Sequence, residues 1–111
     1  MAYDEHLARR IRESTAPHGA AVEKPMFGGL GFLLDGHLAV CAGHAGDLLV
    51  RVAAADLDDL LVDGAVEPMT MAGRRSRTWA RVAASAVEDD DVLDRWVARG
   101  VASARAQPLE R

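Results

Sequence analysis

The densest apolar stretch of the chain runs from Met26 to Val40, MFGGLGFLLDGHLAV. Asp35-Gly36 divides it into two apolar runs. Asp-Gly suits a two-residue type I′ hairpin turn, in which both central residues need positive φ. A turn there predicts that Leu34 faces His37, Leu33 faces Leu38, Phe32 faces Ala39 and Leu30 faces Cys41. Facing residues share a side of a sheet. One side would then carry Leu30, Phe32, Leu34, Ala39 and Cys41, and the other Leu33, Leu38 and Val40. Neither side is polar, so the 30–41 hairpin is expected at the centre of a sheet, covered at least in part on both sides. Gly28, Gly29 and Gly31 lead into it, which points to a bend, a bulge or a close approach of another backbone.

Before the hairpin, Tyr3, Leu7 and Ile11 recur every fourth residue behind a capping Asp4, which predicts a helix over 4–15 that Pro17 and Gly19 end. Residues 21–27 read as a strand that Pro25 places at an edge. After the hairpin, residues 43–47 form a turn. Residues 48–52 alternate, with Leu48, Val50 and Val52 on one side and Leu49 and Arg51 on the other. Asp56 is the expected cap of a short helix over 57–62 that Gly64 stops. Residues 66–71 predict a strand, 72–77 (AGRRSR) a basic turn, and 78–82 a further strand carrying Trp79. A final helix opens at the acidic run 88–91, repeats apolar residues from Val92 to Ala104 with helical period, and stops at Pro108.

Strands cluster between helices rather than alternating with them. That predicts an α+β fold, an antiparallel sheet packed against N- and C-terminal helices. A chain of 111 residues, half of them hydrophobic, suits one domain over 1–111. One cysteine rules out an internal disulfide and makes the cytoplasm the expected setting. No apolar stretch approaches the roughly 20 residues of a membrane span. The net charge of −4 argues against direct nucleic-acid binding.

Little assembled chemistry emerges. Gly29-x-Gly31 lacks the third glycine and the following helix of a dinucleotide motif. Cys41 and His37, on one extended strand, stand about 13 Å apart, too far for an activated thiol. His6, His18, His37 and His44 show no metal-site spacing. No catalytic residue, metal or cofactor is therefore assigned. Arg74, Arg75, Arg77 and Arg81, with Trp79 among them, are the one local basic cluster. By alternation Trp79 and Arg81 share a side, with Arg77 two residues before, and together these five residues form the candidate interaction surface. The competing reading pairs the arginines with the 88–91 acids and packs Trp79 in the core.

The opening MAYDE, the block from Glu23 to Gly29 (EKPMFGG), Gly31-Phe32, and Gly73-Arg74 with Trp79 resemble the N-terminal domain of the TfoX/Sxy family of bacterial competence regulators. The resemblance runs from Met1 to about Pro108. It implies an α+β domain in the cytoplasm that promotes transcription of DNA-uptake genes alongside a cyclic-AMP receptor protein, without an enzymatic step. Arg75 and Ser76 stand where the family often has Pro-Met, and the chain stops where a second domain would begin. The expected activity is therefore a non-enzymatic interaction module with a protein partner, a transcription regulator by the resemblance, and with self-association as a second use. The alternative is a small anionic-ligand binder or minor enzyme with a pocket between the hairpin and the arginine loop.

Overall fold

The computed structural model describes residues 3–26 and 28–106. Helix α1 spans Glu5–Thr15. Six strands follow: β1 (Val22–Met26), β2 (Gly29–Leu34), β3 (His37–Ala42), β4 (Leu48–Arg51), β5 (Val66–Met71) and β6 (Arg74–Val82). Helix α2 (Leu57–Leu60) lies between β4 and β5, and α3 (Asp90–Arg105) closes the chain. All six strands join in one antiparallel sheet in the order β1-β2-β3-β4-β6-β5. The α+β expectation holds, and the hairpin β2–β3 sits inside the sheet as predicted. The two edge strands each carry a proline, Pro25 on β1 and Pro68 on β5, where no partner needs the missing N–H.

The Asp35-Gly36 turn forms as read, with both residues at positive φ, 55° and 82°. Leu34 opposes His37 and Leu33 opposes Leu38, and then the register slips. Phe32 opposes Val40, Gly31 opposes Cys41 and Leu30 opposes Ala42. Ala39 is thus an extra residue, a β-bulge that strict alternation could not show. The correction moves Val40 and Ala42 to the side of Leu30 and Phe32, and Cys41 to the side of Leu38. Of the two sides, the first meets the helices.

There the core is continuous. Leu7, Ala8 and Ile11 of α1, and Leu93, Val97, Val101 and Ala104 of α3, pack on Leu30, Phe32, Leu34, Val40, Val50, Ala80 and Val82. Ile11, Phe32, Val40, Val50 and Val97 are wholly buried. Helix α3 comes unusually close. A Cβ on Gly100 would fall 2.6 Å from the Ala39 carbonyl oxygen and 2.7 Å from a Val40 methyl. A second close approach sits at Gly29, where a Cβ would fall 1.9 Å from the Ala42 carbonyl oxygen, in line with the close approach anticipated for the glycine run. The other side of the sheet holds a smaller cluster of Cys41, Leu49, Met69 and Trp79, flanked by Met26 and Leu38, with no helical residue in it.

Local chemistry sets the helices. Asp4 caps α1 by accepting from the backbone N–H groups of His6 and Leu7. Asp89 does the same for α3 through Asp91 and Val92. Arg10 ties the two together, donating to Asp90 and to the carbonyls of Val87 and Glu88. At the far end, Arg105 donates to Asp35 Oδ2 at 2.8 Å and to the His18 carbonyl, fixing the hairpin turn to the end of α3. The expected cap at Asp56 is not made. Its backbone is already helical (φ −92°, ψ −14°), so its carboxylate cannot fold back onto the next turn, and α2 is shorter than read, following a tight turn over 54–56. The stop assigned to Pro108 lies outside the described residues, as does Phe27 at the end of the predicted 21–27 strand.

Two substitutions test this packing by denaturant unfolding. Phe32→Ala leaves a void in the core and is expected to cost about 3–5 kcal/mol. A loss under about 1 kcal/mol would contradict its burial. Gly100→Ala should also destabilise, by about 1–3 kcal/mol through overpacking, although alanine is favoured over glycine in a free helix by about 1 kcal/mol. A stabilised Gly100→Ala variant would show that α3 does not rest on the bulge.

Candidate interaction surface

Strands β5 and β6 form the far edge of the sheet. Their turn is two residues long, Ala72-Gly73, at φ 52° and 78°. The predicted 72–77 turn is therefore too long, and β6 begins four residues earlier than read, because Arg74 to Arg77 continue as strand. Pairing of β6 with β4 ends at Arg51 opposite Trp79 and at the Val52 N–H to Thr78 carbonyl bond. Beyond it, Arg74 and Arg75 pair with β5 alone, opposite Met71 and Thr70. The result is a two-stranded ribbon that extends past β4.

Between Pro68 opposite Ala80 and Thr70 opposite Arg75 the register jumps, so Ser76 to Trp79 bulge opposite Met69. Ser76 Oγ stabilises this bend by accepting from the N–H groups of Thr78 and Trp79 at 3.2 and 3.1 Å. The bulge divides the predicted cluster. Trp79 is 5% exposed and belongs to the second cluster, packed with Cys41, Leu49 and Met69. The Arg51 guanidinium lies 5.1 Å from the centre of its ring and donates from Nε to the Leu38 carbonyl at 2.9 Å. Burial pushes the Arg51 pKa down, yet an arginine stays charged at neutral pH.

Arg81 does share the Trp79 side of the sheet, but it is occupied. Its Nε meets Asp47 Oδ2 at 2.6 Å and its Nη1 stands 3.7 Å from Glu67 Oε1. Arg74, Arg75 and Arg77 are exposed and form no ion pair among the described residues. Arg75 and Arg77 line a cleft of about 200 Å³ with Leu57, Asp58, Leu61, Pro68 and Ser76. That cleft faces α2 and includes no residue of the 30–41 hairpin, so the pocket expected between hairpin and arginine loop is not the one these arginines line. The 88–91 acids do not pair with the cluster either; Asp89 caps α3 and Asp90 holds Arg10.

Three charged residues that matter here were not singled out from the sequence: Arg51, Asp47 and Glu67. Alternation along β4 did place Arg51 opposite Leu48 and Val50, but not above an indole. Asp47 sat in an evident turn, GHAGD, where aspartate is ordinarily solvated.

Cys41 has no thiol chemistry to offer. It is fully buried, its sulfur lies 3.8 Å from the Met26 carbonyl, and burial with the nearby Asp47 charge pushes its pKa up to about 12. Among the described residues no group of three histidine, cysteine or acidic side chains could hold a metal ion. No helix among them is long and apolar enough to cross a membrane.

A six-stranded antiparallel sheet with helices on one face and three exposed arginines on a ribbon at one edge defines a small α+β domain. Compared with protein-family models, residues 13–104 match the TfoX N-terminal domain, and the chain belongs to that family. Searches of curated proteins and of solved structures found no match.

The thiol supplies a check. Native protein at pH 8 should react with a disulfide reagent only at its unfolding rate, and at once in denaturant. Because the folded pKa is raised, the protonated thiol favours the fold at neutral pH, and that contribution should fade between about pH 9 and 12. Rapid native labelling at pH 8 would mean that Cys41 is open to solvent.

Proposed function

We propose that the domain is a non-enzymatic, cytoplasmic interaction module that serves the regulation of DNA-uptake genes through protein contact. Family membership supports the regulatory setting. The observation that carries the contact surface is the ribbon: Arg74, Arg75 and Arg77 stand beyond β4 with no ion pair among the described residues, on a chain whose net charge is −4. Exposed cations that form no ion pair among the described residues favour an acidic surface elsewhere, and they act mainly by speeding encounter and fixing orientation. The partner they suit is an acidic face of a transcription regulator. Trp79 and Arg81 support the ribbon from the sheet rather than touching the partner.

A β-ribbon with arginines can also enter a nucleic-acid groove. Three cations supply few phosphate contacts, which opposes that reading. The small-anion alternative is disfavoured by Asp58, which faces the same cleft as Arg75 and Arg77.

The test is a triple variant, Arg74→Glu/Arg75→Glu/Arg77→Glu. Its stability should stay within about 0.5 kcal/mol of wild type, since these side chains are exposed. Retention of partners from native lysate at low salt should fall about tenfold or more, and wild-type retention should weaken with added salt. Equal retention by the triple variant would remove the ribbon as the contact. A gel shift of duplex DNA by wild type at physiological salt would replace the protein partner with nucleic acid.

A further inference from the structure

Asp47 lies at the end of the Gly43–Asp47 turn, on the side of the sheet that the helices leave uncovered, beside Leu49 and Arg81. The turn is closed by the Gly43 N–H donating to the Asp47 carbonyl at 2.8 Å. The side chain is 9% exposed, and only one of its oxygens is matched: Oδ2 forms an ion pair with Arg81 Nε at 2.6 Å. Oδ1 is buried and has no hydrogen-bond partner among the described residues. It lies against Gly43, where a Cβ would fall 2.1 Å from it, so the absent side chain makes its room. A buried carboxylate oxygen without a donor is costly, and native proteins keep only a few such polar groups per hundred residues or so.

The surroundings describe what that donor could be. Asp47, Glu67 and Arg81 form a wall between two grooves. One, of about 200 Å³, is completed by Gly43, His44, Leu49, Met69 and Thr70. The other, of about 330 Å³, is completed by Ala45, Gly64, Ala65, Ala83 and Ala84. Two carboxylates share one guanidinium, which leaves an excess of one negative charge. Glu67 is held only loosely, at 3.7 Å, with its side chain 67% exposed. A divalent metal is a poor fit: calcium and magnesium want six or more oxygen ligands, zinc wants four ligands, and no group of three candidate ligands stands together among the described residues. A single positive charge that carries several N–H donors fits both the charge and the unmet oxygen.

We propose that the Asp47–Glu67–Arg81 wall binds a primary ammonium group, carried by a free small amine or by a lysine side chain of a partner. Its N–H groups satisfy Asp47 Oδ1 and the free oxygen of Glu67. Oδ1 is shut from bulk solvent, so binding requires the exposed His44–Ala45 tip to move aside. Gly43 and Gly46 flank that tip, and Gly46 already holds a φ of 83°. This site is independent of the ribbon, and loss of either leaves the other standing.

The experiment is an amide-resolved NMR titration of the full chain with methylammonium chloride, with tetramethylammonium chloride as a cation that has no N–H donor. Methylammonium should give saturable shifts at Gly43, His44, Asp47 and Glu67, with an affinity of about millimolar at best for so small a ligand. Tetramethylammonium should give none. Glu67→Gln, an exposed change that leaves the fold intact, should weaken binding about tenfold, the loss of one charge-assisted contact. Asp47→Asn should abolish it. Comparing 1,5-diaminopentane with a lysine-containing peptide separates the two sources, since the tighter ligand names the carrier. Absence of saturable shifts, an equal response to tetramethylammonium, or unchanged affinity in Glu67→Gln would each overturn the proposal. So would Oδ1 holding a water that methylammonium does not displace.

Discussion

The fold depends on one extra residue in the central hairpin and on the helix that rests over it. Ala39 has no partner on β2. Its insertion rotates the rest of β3, so that Val40 and Ala42, rather than Cys41, face the helices. α3 reaches that surface because Gly100 presents no side chain to the Ala39 carbonyl. The two features are mutually dependent. A bulge bends its strand outward and presents backbone where a regular strand would present side chains, and only a small residue on the helix can meet it. Once α3 is seated, α1 follows. Arg10 and Ser14 hold the start of α3 through Asp90 and Asp94, and Leu7 and Ile11 complete the buried layer.

The other side of the sheet is built differently, and that asymmetry creates the chemistry. With no helix in its cluster, it keeps Trp79, Leu49 and Met69 dry by local means: the Arg51 guanidinium above the indole, and Met26 and Leu38 at the margin. Charged residues whose stems lie along an apolar sheet must find partners nearby or remain in water. Arg51 finds a carbonyl, and Arg81 finds Asp47 and Glu67. Arg74, Arg75 and Arg77, past the end of β4, form no ion pair among the described residues, and Arg75 and Arg77 share a cleft with Leu57 and Asp58 of α2.

Legibility in the sequence followed the same divide. The Asp35-Gly36 turn, the Asp4 cap, the alternation of β4 and the period of α3 were all readable, because each rests on residues whose conformational preference is local. The bulge was not. Its signal in a sequence is a break in polar alternation, and a hairpin apolar on both sides has no alternation to break. The long β6 was hidden for a related reason. Arginine and serine in succession resemble a loop, yet an edge ribbon is solvated on several sides and accepts polar residues as strand. The five residues of the cluster therefore divide between two environments. Arg74, Arg75 and Arg77 are an exposed basic surface, while the alternation that joined them to Trp79 and Arg81 is interrupted by the Ser76 bend.

Net charge is a poor guide to what such a ribbon meets. At physiological ionic strength a charge is screened over about 8 Å, so a partner near Arg74 senses the ribbon and its nearest neighbours rather than the whole molecule. Acids of the opening of α3 are already engaged: Asp89 accepts from the helix N-terminus and Asp90 holds Arg10. Glu23 is engaged as well, bidentate with Arg12 at 2.6 and 2.8 Å, and that bond lowers the Glu23 pKa. Asp58 lines the same cleft as Arg75 and Arg77. Three exposed guanidinium groups at the ribbon form no ion pair among the described residues, although the chain as a whole is acidic. The sign of a contact surface is thus decided by which carboxylates the fold has already committed, as it has Asp89 and Asp90 at the start of α3, Glu23 on β1, and Asp47 and Glu67 beside Arg81.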